Sequence, residues 1–251
     1  MIVTPGPLVV VNAYPDLTLP QADDGNALVL AYRARARGLD VETRTVHCGE
    51  PLPPADIYVT GGLEDEDQVE LARWLDAGGE LRRAVAAGAG VLAVTSGLQV
   101  LGERFALPDG SLHDGLGLLD VRTVRSRTFI EGPVVTHPNR DLGLPPLSGY
   151  ESHFGLTELG PAAKPLATLE VGRGNTGTDD GLDGAVAGRV LGTYLHGPVL
   201  ARNPELADLL LSWAAGRELE PLPSPFAEAS RAARIDQARR WAAAGRKRVK
   251  M

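Results

Sequence analysis

Four short apolar runs rich in β-branched residues, LVVVNA (8–13), VETRTV (41–46), DIYVTGG (56–62) and VLAVTSG (91–97), are separated by helical stretches. Runs of this length, bounded by Gly, Pro or polar turns, read as buried strands. Strands alternating with helices force a mostly parallel sheet, because parallel neighbours need a long crossover, and such a sheet must be covered on both faces. ALVLAYRARARG (27–38) carries apolar groups at helical spacing and ends in arginines and Gly38, a C-terminal signal. In DEDQVELARWLDAGGELRRAVAAG (65–88), Asp65, Glu66 and Asp67 suit the positive end of a helix that Gly88 is expected to stop. The predicted class is therefore α/β: a three-layer, mostly parallel sheet with helices on both faces and its sites at the carboxyl ends of the strands.

Beyond residue 115 the spacing tightens. LLDVRTV, GPVVTH, PLATLEV, AVAGR and VLGTYLH predict short strands added in antiparallel fashion. The helix PELADLLLSWAAG follows, with Asn203 as N-cap and Pro204 at its first position. GRGNTGTDDGLDG (172–184) reads as a flexible surface connection; no phosphate-loop lysine follows it. PLPSPF (221–226) reads as a proline hinge before a basic C-terminal helix, which divides the chain into a domain over 1–220 and an appendage over 221–251.

Composition narrows the function. Apolar residues at 43% and charged residues at 23% of 251 exclude extended disorder. No apolar run approaches the roughly 20 residues of a spanning helix. The start, MIVTPGPLVVV, lacks the basic flank of an export signal, so a cytoplasmic chain without membrane insertion is expected. A single cysteine, Cys48, excludes an internal disulfide and a cysteine-built metal site, and no metal or cofactor is expected. The net charge of −7 is uneven: residues 231–251 hold eight Lys/Arg against Asp236, about +7, which leaves about −14 on the rest. An acidic body repels polyanions, so nucleic acid is not an expected partner.

GVLAVTSGLQVLG (90–102) runs from a buried strand straight into a helix through small residues. That is the geometry of a nucleophile elbow, in which one side chain is exposed above the sheet and N–H groups at the helix start hold an oxyanion. The elbow residue is Thr95; an ordinary strand-to-helix junction would look the same locally. His196 lies 101 residues further on, directly after a predicted strand and before Gly197-Pro198, where it is a candidate base.

Together, TGGLEDEDQ, VTSGLQVLGERF, HDGLGLLDV, GYESHFG and GTYLHGPVLARNPELADLLL, with LTLPQADDGN before the first helix, resemble the class I glutamine amidotransferases in their cobyric-acid-synthase-like branch. Within it they are most similar to the GatD type, the glutaminase subunits of lipid II isoglutaminyl synthases. The likeness runs from about residue 8 to 240. The resemblance implies glutamine hydrolysis through a cysteine thioester at the elbow, with ammonia passed to a Mur-ligase-like, MurT-type partner. It places His196 as proton shuttle, Gly61, Gly62 and the Ser96 N–H as the oxyanion hole, and Gln99 as the polar residue of the elbow helix. A cobalamin-pathway amidotransferase is disfavoured, because no synthetase domain precedes the motifs.

Two departures stand out. The resemblance implies a cysteine where this chain has Thr95; an alkanol is far harder to ionise than a thiol, and the threonine methyl crowds the attack path. Glutaminase activity is expected to be impaired or lost, leaving slow turnover, a non-catalytic scaffold or a glutamine-binding subunit. The implied glutamine-holding arginine falls, counted without gaps, on Phe129. Arg127, two residues earlier, shares its face if the segment is extended, or is one of three arginines (Arg122, Arg125, Arg127) on a solvated edge. In GYESHFG, Glu151 orients a base, binds a substrate amide or, as part of a buried polar pair, satisfies backbone groups, and a structural role is expected for His153. The acid implied two residues beyond His196 is Pro198, so the sequence names no orienting carboxylate. Cys48 has no elbow pattern and reads as inert.

Overall fold

The computed structural model describes residues 6–18, 23–179 and 181–249. Residues 1–5, residues 19–22 of the LTLPQADDGN stretch, Asp180 of the glycine-rich loop and the basic side chains from Arg246 onward lie outside the described residues. Strands β1 (Leu8–Ala13), β2 (Val41–Val46), β3 (Ile57–Thr60) and β4 (Gly90–Val94) alternate with helices α1 (Gly25–Arg35), α2 (Gln68–Asp76) and α3 (Glu80–Ala86). After the short helix α4 (Ser96–Leu101) come β5 (Arg104–Ala106), β6 (Leu112–Asp114), β7 (Val121–Pro138), β8 (Leu147–Leu159), β9 (Ala167–Val171), β10 (Leu182–Asp183), β11 (Ala185–Ala187) and β12 (Val190–Thr193). Helices α5 (Val199–Arg202), α6 (Pro204–Ala215) and α7 (Pro225–Val249) complete the order.

The central sheet has the order β11-β12-β4-β3-β1-β2 and is parallel except for its edge strand β11. Successive strand residues point to opposite faces. Val11, Tyr58, Val91 and Ala93 pack with Leu71, Leu75, Leu81 and Leu98 of α2, α3 and α4. Val10, Ile57, Val59, Leu92 and Val94 pack with Leu30, Leu206 and Leu210 of α1 and α6. Two apolar clusters on one sheet make the predicted three layers. A second sheet, β10-β9-β7-β5-β6 with β8 paired to β7, stands beside it.

Several boundaries differ from the sequence expectation. The helix expected over 65–88 is split into α2 and α3, because Gly78 and Gly79 take φ of +69° and +67°, a left-handed backbone that no α-helix continues. VLGTYLH and AVAGR belong to the central sheet, where β12 is a parallel neighbour of β4. LLDVRTV and GPVVTH are parts of one 18-residue strand, β7. The Gly132-Pro133 pair looks like a turn in sequence. Pro133 is instead opposite Tyr150, whose carbonyl accepts from the His196 N–H (2.8 Å), so that position makes no β7–β8 bond and the missing proline N–H costs nothing there. Asn203 does precede α6, but its side chain does not cap it: Oδ1 accepts from Ser148 N–H and Nδ2 donates to the Ser148 and Val199 carbonyls.

Helix α7 lies back on the body. Ala238, 2% exposed, packs against Val135 and Val171, while Arg231 pairs with Glu205 and Arg239 with Glu170. The preceding segment is held by Arg33, which donates to the Leu222 carbonyl, to Ser224 Oγ and, in bidentate fashion, to Asp208. Among the described residues no helix is long and apolar enough to cross a membrane.

Candidate active site

The parallel pair β4–β12 brings two of the expected residues together. Thr95 follows β4 with φ 51° and ψ −107°, a backbone strained for a β-branched residue, before the chain turns into α4. Gly97 makes the turn compact: a Cβ there would lie 3.1 Å from Thr60 Cγ2. The Thr95 N–H donates to the Thr193 carbonyl of β12 at 2.7 Å. Three residues beyond β12, His196 Nε2 lies 2.5 Å from Thr95 Oγ1.

On the far side of the imidazole, Nδ1 lies 2.6 Å from Asp23 Oδ2, just ahead of α1. A carboxylate only accepts, so Nδ1 carries the proton and Nε2 presents a lone pair to the Thr95 hydroxyl. Asp23, Thr95 and His196 are 2%, 5% and 2% exposed. Asp23 also receives the N–H groups of Gly62 and Gly197, each at 3.4 Å. The orienting carboxylate that sequence reasoning left unnamed is therefore present; it was sought next to His196 and comes from the acidic pair Asp23-Asp24, which topology alone brings near.

The remaining expected residues are distributed unevenly. A cavity of about 340 Å³ opens over Thr95 and His196, lined also by Gly62, Leu63, Ser96, Arg125, Phe129 and His153. Gly62 packs against the His196 imidazole: a Cβ there would lie 2.7 Å from His196 Cε1. Its N–H is directed to Asp23, and Gly61 does not line the cavity, so of the expected oxyanion donors Ser96 is the one at the elbow with no helical acceptor. Ser96 Oγ donates to the Leu63 carbonyl (2.8 Å), tying the start of α4 to the 61–63 turn.

Gln99 lies behind the elbow, 3% exposed, accepting from Gln68 Nε2 (2.9 Å) and donating to the Tyr194 hydroxyl (3.4 Å). It positions α4 and does not face the cavity. Arg127 is exposed and outside the lining. The arginine that reaches the cavity is Arg125, stacked 4.0 Å above the Phe154 ring and ion-paired with Asp65. Desolvation lowers the Arg125 pKa. Phe129 packs against the same Phe154 in a tilted arrangement, with ring centroids 4.8 Å apart and planes at 47°.

Glu151 accepts the N–H groups of Arg173 and Gly174, anchoring the glycine-rich loop to β8. Cys48 is exposed and is not among the residues lining this cavity, and partial desolvation followed by Asp16, Glu70 and Asp67 raises its thiol pKa. Among the described residues no cluster of three or more His, Cys, Asp or Glu is arranged to hold a metal ion.

A hydroxyl, an imidazole and a carboxylate joined by two short contacts at the end of a strand, beneath a cavity, form an arrangement for attack on a carbonyl carbon. The model of the CobB/CobQ-like glutamine amidotransferase domain matches residues 13–204. The lipid II isoglutaminyl synthase (glutamine-hydrolyzing) subunit GatD of Staphylococcus aureus (strain N315) is 31% identical over 202 residues, covering 78% of this chain and 80% of that protein. The same subunit of Streptococcus pneumoniae (strain ATCC BAA-255 / R6) is 32% identical over 215 residues, covering 84% and 81%. A glutamine amidotransferase crystal structure (18% identity, TM-score 0.55, 82% of this chain and 98% of that one) and PurLQS from Thermotoga maritima (16%, 0.56, 84% and 98%) share the fold. Matched by that domain model over residues 13–204 and more than 30% identical to both GatD subunits over more than three quarters of its length, the chain belongs to the CobB/CobQ-like glutamine amidotransferase family.

Proposed function

We propose that this chain is the GatD-like, glutamine-binding subunit of a lipid II isoglutaminyl synthase type complex, acting in the cytoplasm beside a Mur-ligase-like, MurT-type partner. In this reading residues 1–220 are the amidotransferase unit and 221–251 an appended hinge and helix. The observation that carries it is the Asp23–His196–Thr95 relay beneath the cavity.

The relay acts on the side-chain amide of glutamine. His196 Nε2 takes the Thr95 proton as Oγ1 attacks the amide carbon, and the Ser96 N–H receives the developing oxyanion. The imidazolium, held by Asp23, returns that proton to the departing ammonia, leaving a glutamyl ester on Thr95. Water, deprotonated by His196, then attacks the ester carbon, and the imidazolium returns that proton to Thr95 Oγ1 as the ester bond breaks, releasing glutamate and restoring the hydroxyl. Ammonia passes to the partner, which uses it to amidate an activated carboxylate.

Each step is slower with an alcohol than with a thiol, because the hydroxyl ionises poorly and its methyl crowds the attack. Turnover is therefore expected to be weak in a site whose base and orienting carboxylate are intact. The test is glutamate release by the native chain and by Thr95→Cys, each with the candidate partner. Recovery confined to Thr95→Cys supports a site lacking only its nucleophile. Equal turnover in both proteins overturns the impaired-nucleophile reading, and no activity in either favours a scaffold or binding role.

A further inference from the structure

Outside the relay, one residue that lines the cavity carries a buried polar atom without a partner among the described residues. His153 lies on β8 and lines the same cavity as Thr95 and His196, yet it is only 4% exposed. Its Nδ1 is 3.0 Å from the Gly155 carbonyl, which only accepts, so Nδ1 carries the ring proton. Its Nε2 has no hydrogen-bond partner among the described residues. The nearest carboxylate, Glu151 Oε2, stands 3.9 Å away, beyond hydrogen-bond range, and is occupied by the N–H groups of Arg173 and Gly174.

The ring is held rigidly. It stacks on Tyr194 with centroids 3.7 Å apart, and the Tyr194 hydroxyl is fixed by Thr157 (2.7 Å) and Gln99 (3.4 Å). Desolvation, outweighing the opposing influence of Glu151, lowers the imidazole pKa, so the ring is neutral at physiological pH. The lone pair of Nε2 is thus a fixed, buried acceptor on a residue that lines the cavity, and buried acceptors are normally satisfied.

We propose that His153 Nε2 receives an N–H bond from the ligand's primary carboxamide and thereby makes the cavity select a carboxamide over the corresponding carboxylate. The two ligands differ in one group: –NH₂ donates where carboxylate oxygen can only accept. A carboxylate would set oxygen lone pairs against the Nε2 lone pair, whereas the amide nitrogen satisfies it. Glutamate, the hydrolysis product, is then expelled by the same atom that admits glutamine. This assignment rests on the amide-hydrolysing reading of the site. His153 is a specificity residue within it, separate from the relay.

The experiment is calorimetric titration of the full-length native chain, His153→Asn and His153→Gln with glutamine and with glutamate. Asn retains a donor for the Gly155 carbonyl but offers nothing at the Nε2 position; Gln returns an oxygen acceptor near it. The native chain is expected to prefer glutamine by about tenfold or more, the order of one hydrogen bond to a buried acceptor. His153→Asn should bring the ratio close to one, and His153→Gln should restore part of it. An unchanged ratio in a folded His153→Asn overturns the assignment while leaving the amide site standing. Failure of the native chain to bind glutamine overturns the amide site and this inference with it. Should the Asn variant not fold, the His153 imidazole nitrogen resonance of the native chain decides: it must move with glutamine and stay with glutamate, and any other result overturns the assignment.

Discussion

Asp23 Oδ2 and His196 Nδ1 are 2.6 Å apart although 173 residues separate them in the chain. The loop ahead of α1 and the segment after β12 meet above the carboxyl ends of the central strands. The imidazole is thereby held in the one tautomer that leaves Nε2 free to accept from Thr95.

Asp23→Asn would offer an amide N–H to Nδ1 and favour the wrong tautomer. In a Thr95→Cys background, kcat for glutamate release should fall on the order of 100-fold or more, with a small change in thermal midpoint. Undiminished kcat would mean that the orienting group comes from another chain.

Gly62→Ala puts a methyl 2.7 Å from His196 Cε1, closer than carbon atoms approach, so the imidazole must shift. A displacement of about 1 Å costs on the order of 100-fold in rate. We expect that loss in the same Thr95→Cys background, with circular dichroism unchanged; full activity would show that the histidine has room to give.

Asp183 is fully buried between the Thr193 hydroxyl (2.6 Å) and the Tyr194 N–H (3.2 Å), and desolvation raises its pKa from 3.8 to about 6. A carboxyl whose folded pKa is raised stabilises the fold below pH 3.8, and that contribution is lost as pH rises through about 6. Asp183→Asn should therefore be more stable than the native chain at pH 7.5 by an amount of order 2 kcal/mol, with the advantage vanishing near pH 4. Urea unfolding at the two pH values checks it; an equal difference at both would sink the claim.

Ala238→Asp places an unpaired carboxylate where α7 meets Val135 and Val171. Burying such a group costs several kcal/mol, more than the exposed ion pair Arg239–Glu170 returns, so α7 should detach. Limited proteolysis would then cut rapidly within 217–224; unchanged protection would show that Arg33 and Arg231 suffice to hold the helix.

How far these residues could be read from sequence depended on the range of the signal. β1, β3 and β4 announced themselves as uninterrupted apolar runs because burial on both faces removes any need for alternation. Thr95 and His196 were nameable because each stands at the end of such a run. Asp23 carries no local mark: it is one of two adjacent aspartates, and only the meeting of distant loops distinguishes it. The arginine was misplaced for a different reason. Register shifts between Arg125 and Ile130, so the rule that positions two apart share a face fails there, and Arg125 reaches the cavity where Arg127 was expected. His153 looked structural in sequence, and its bond to Gly155 is; what no sequence shows is that its second nitrogen was left empty.

Thr95 and His196 hang from adjacent strands joined by an amide-to-carbonyl bond between Thr95 and Thr193. Their spacing is inherited from the ladder and does not depend on what hangs at position 95. An exchange of oxygen for sulfur there would alter reactivity while keeping alignment, which makes this scaffold a ready frame for comparing the two elements as nucleophiles under identical restraint.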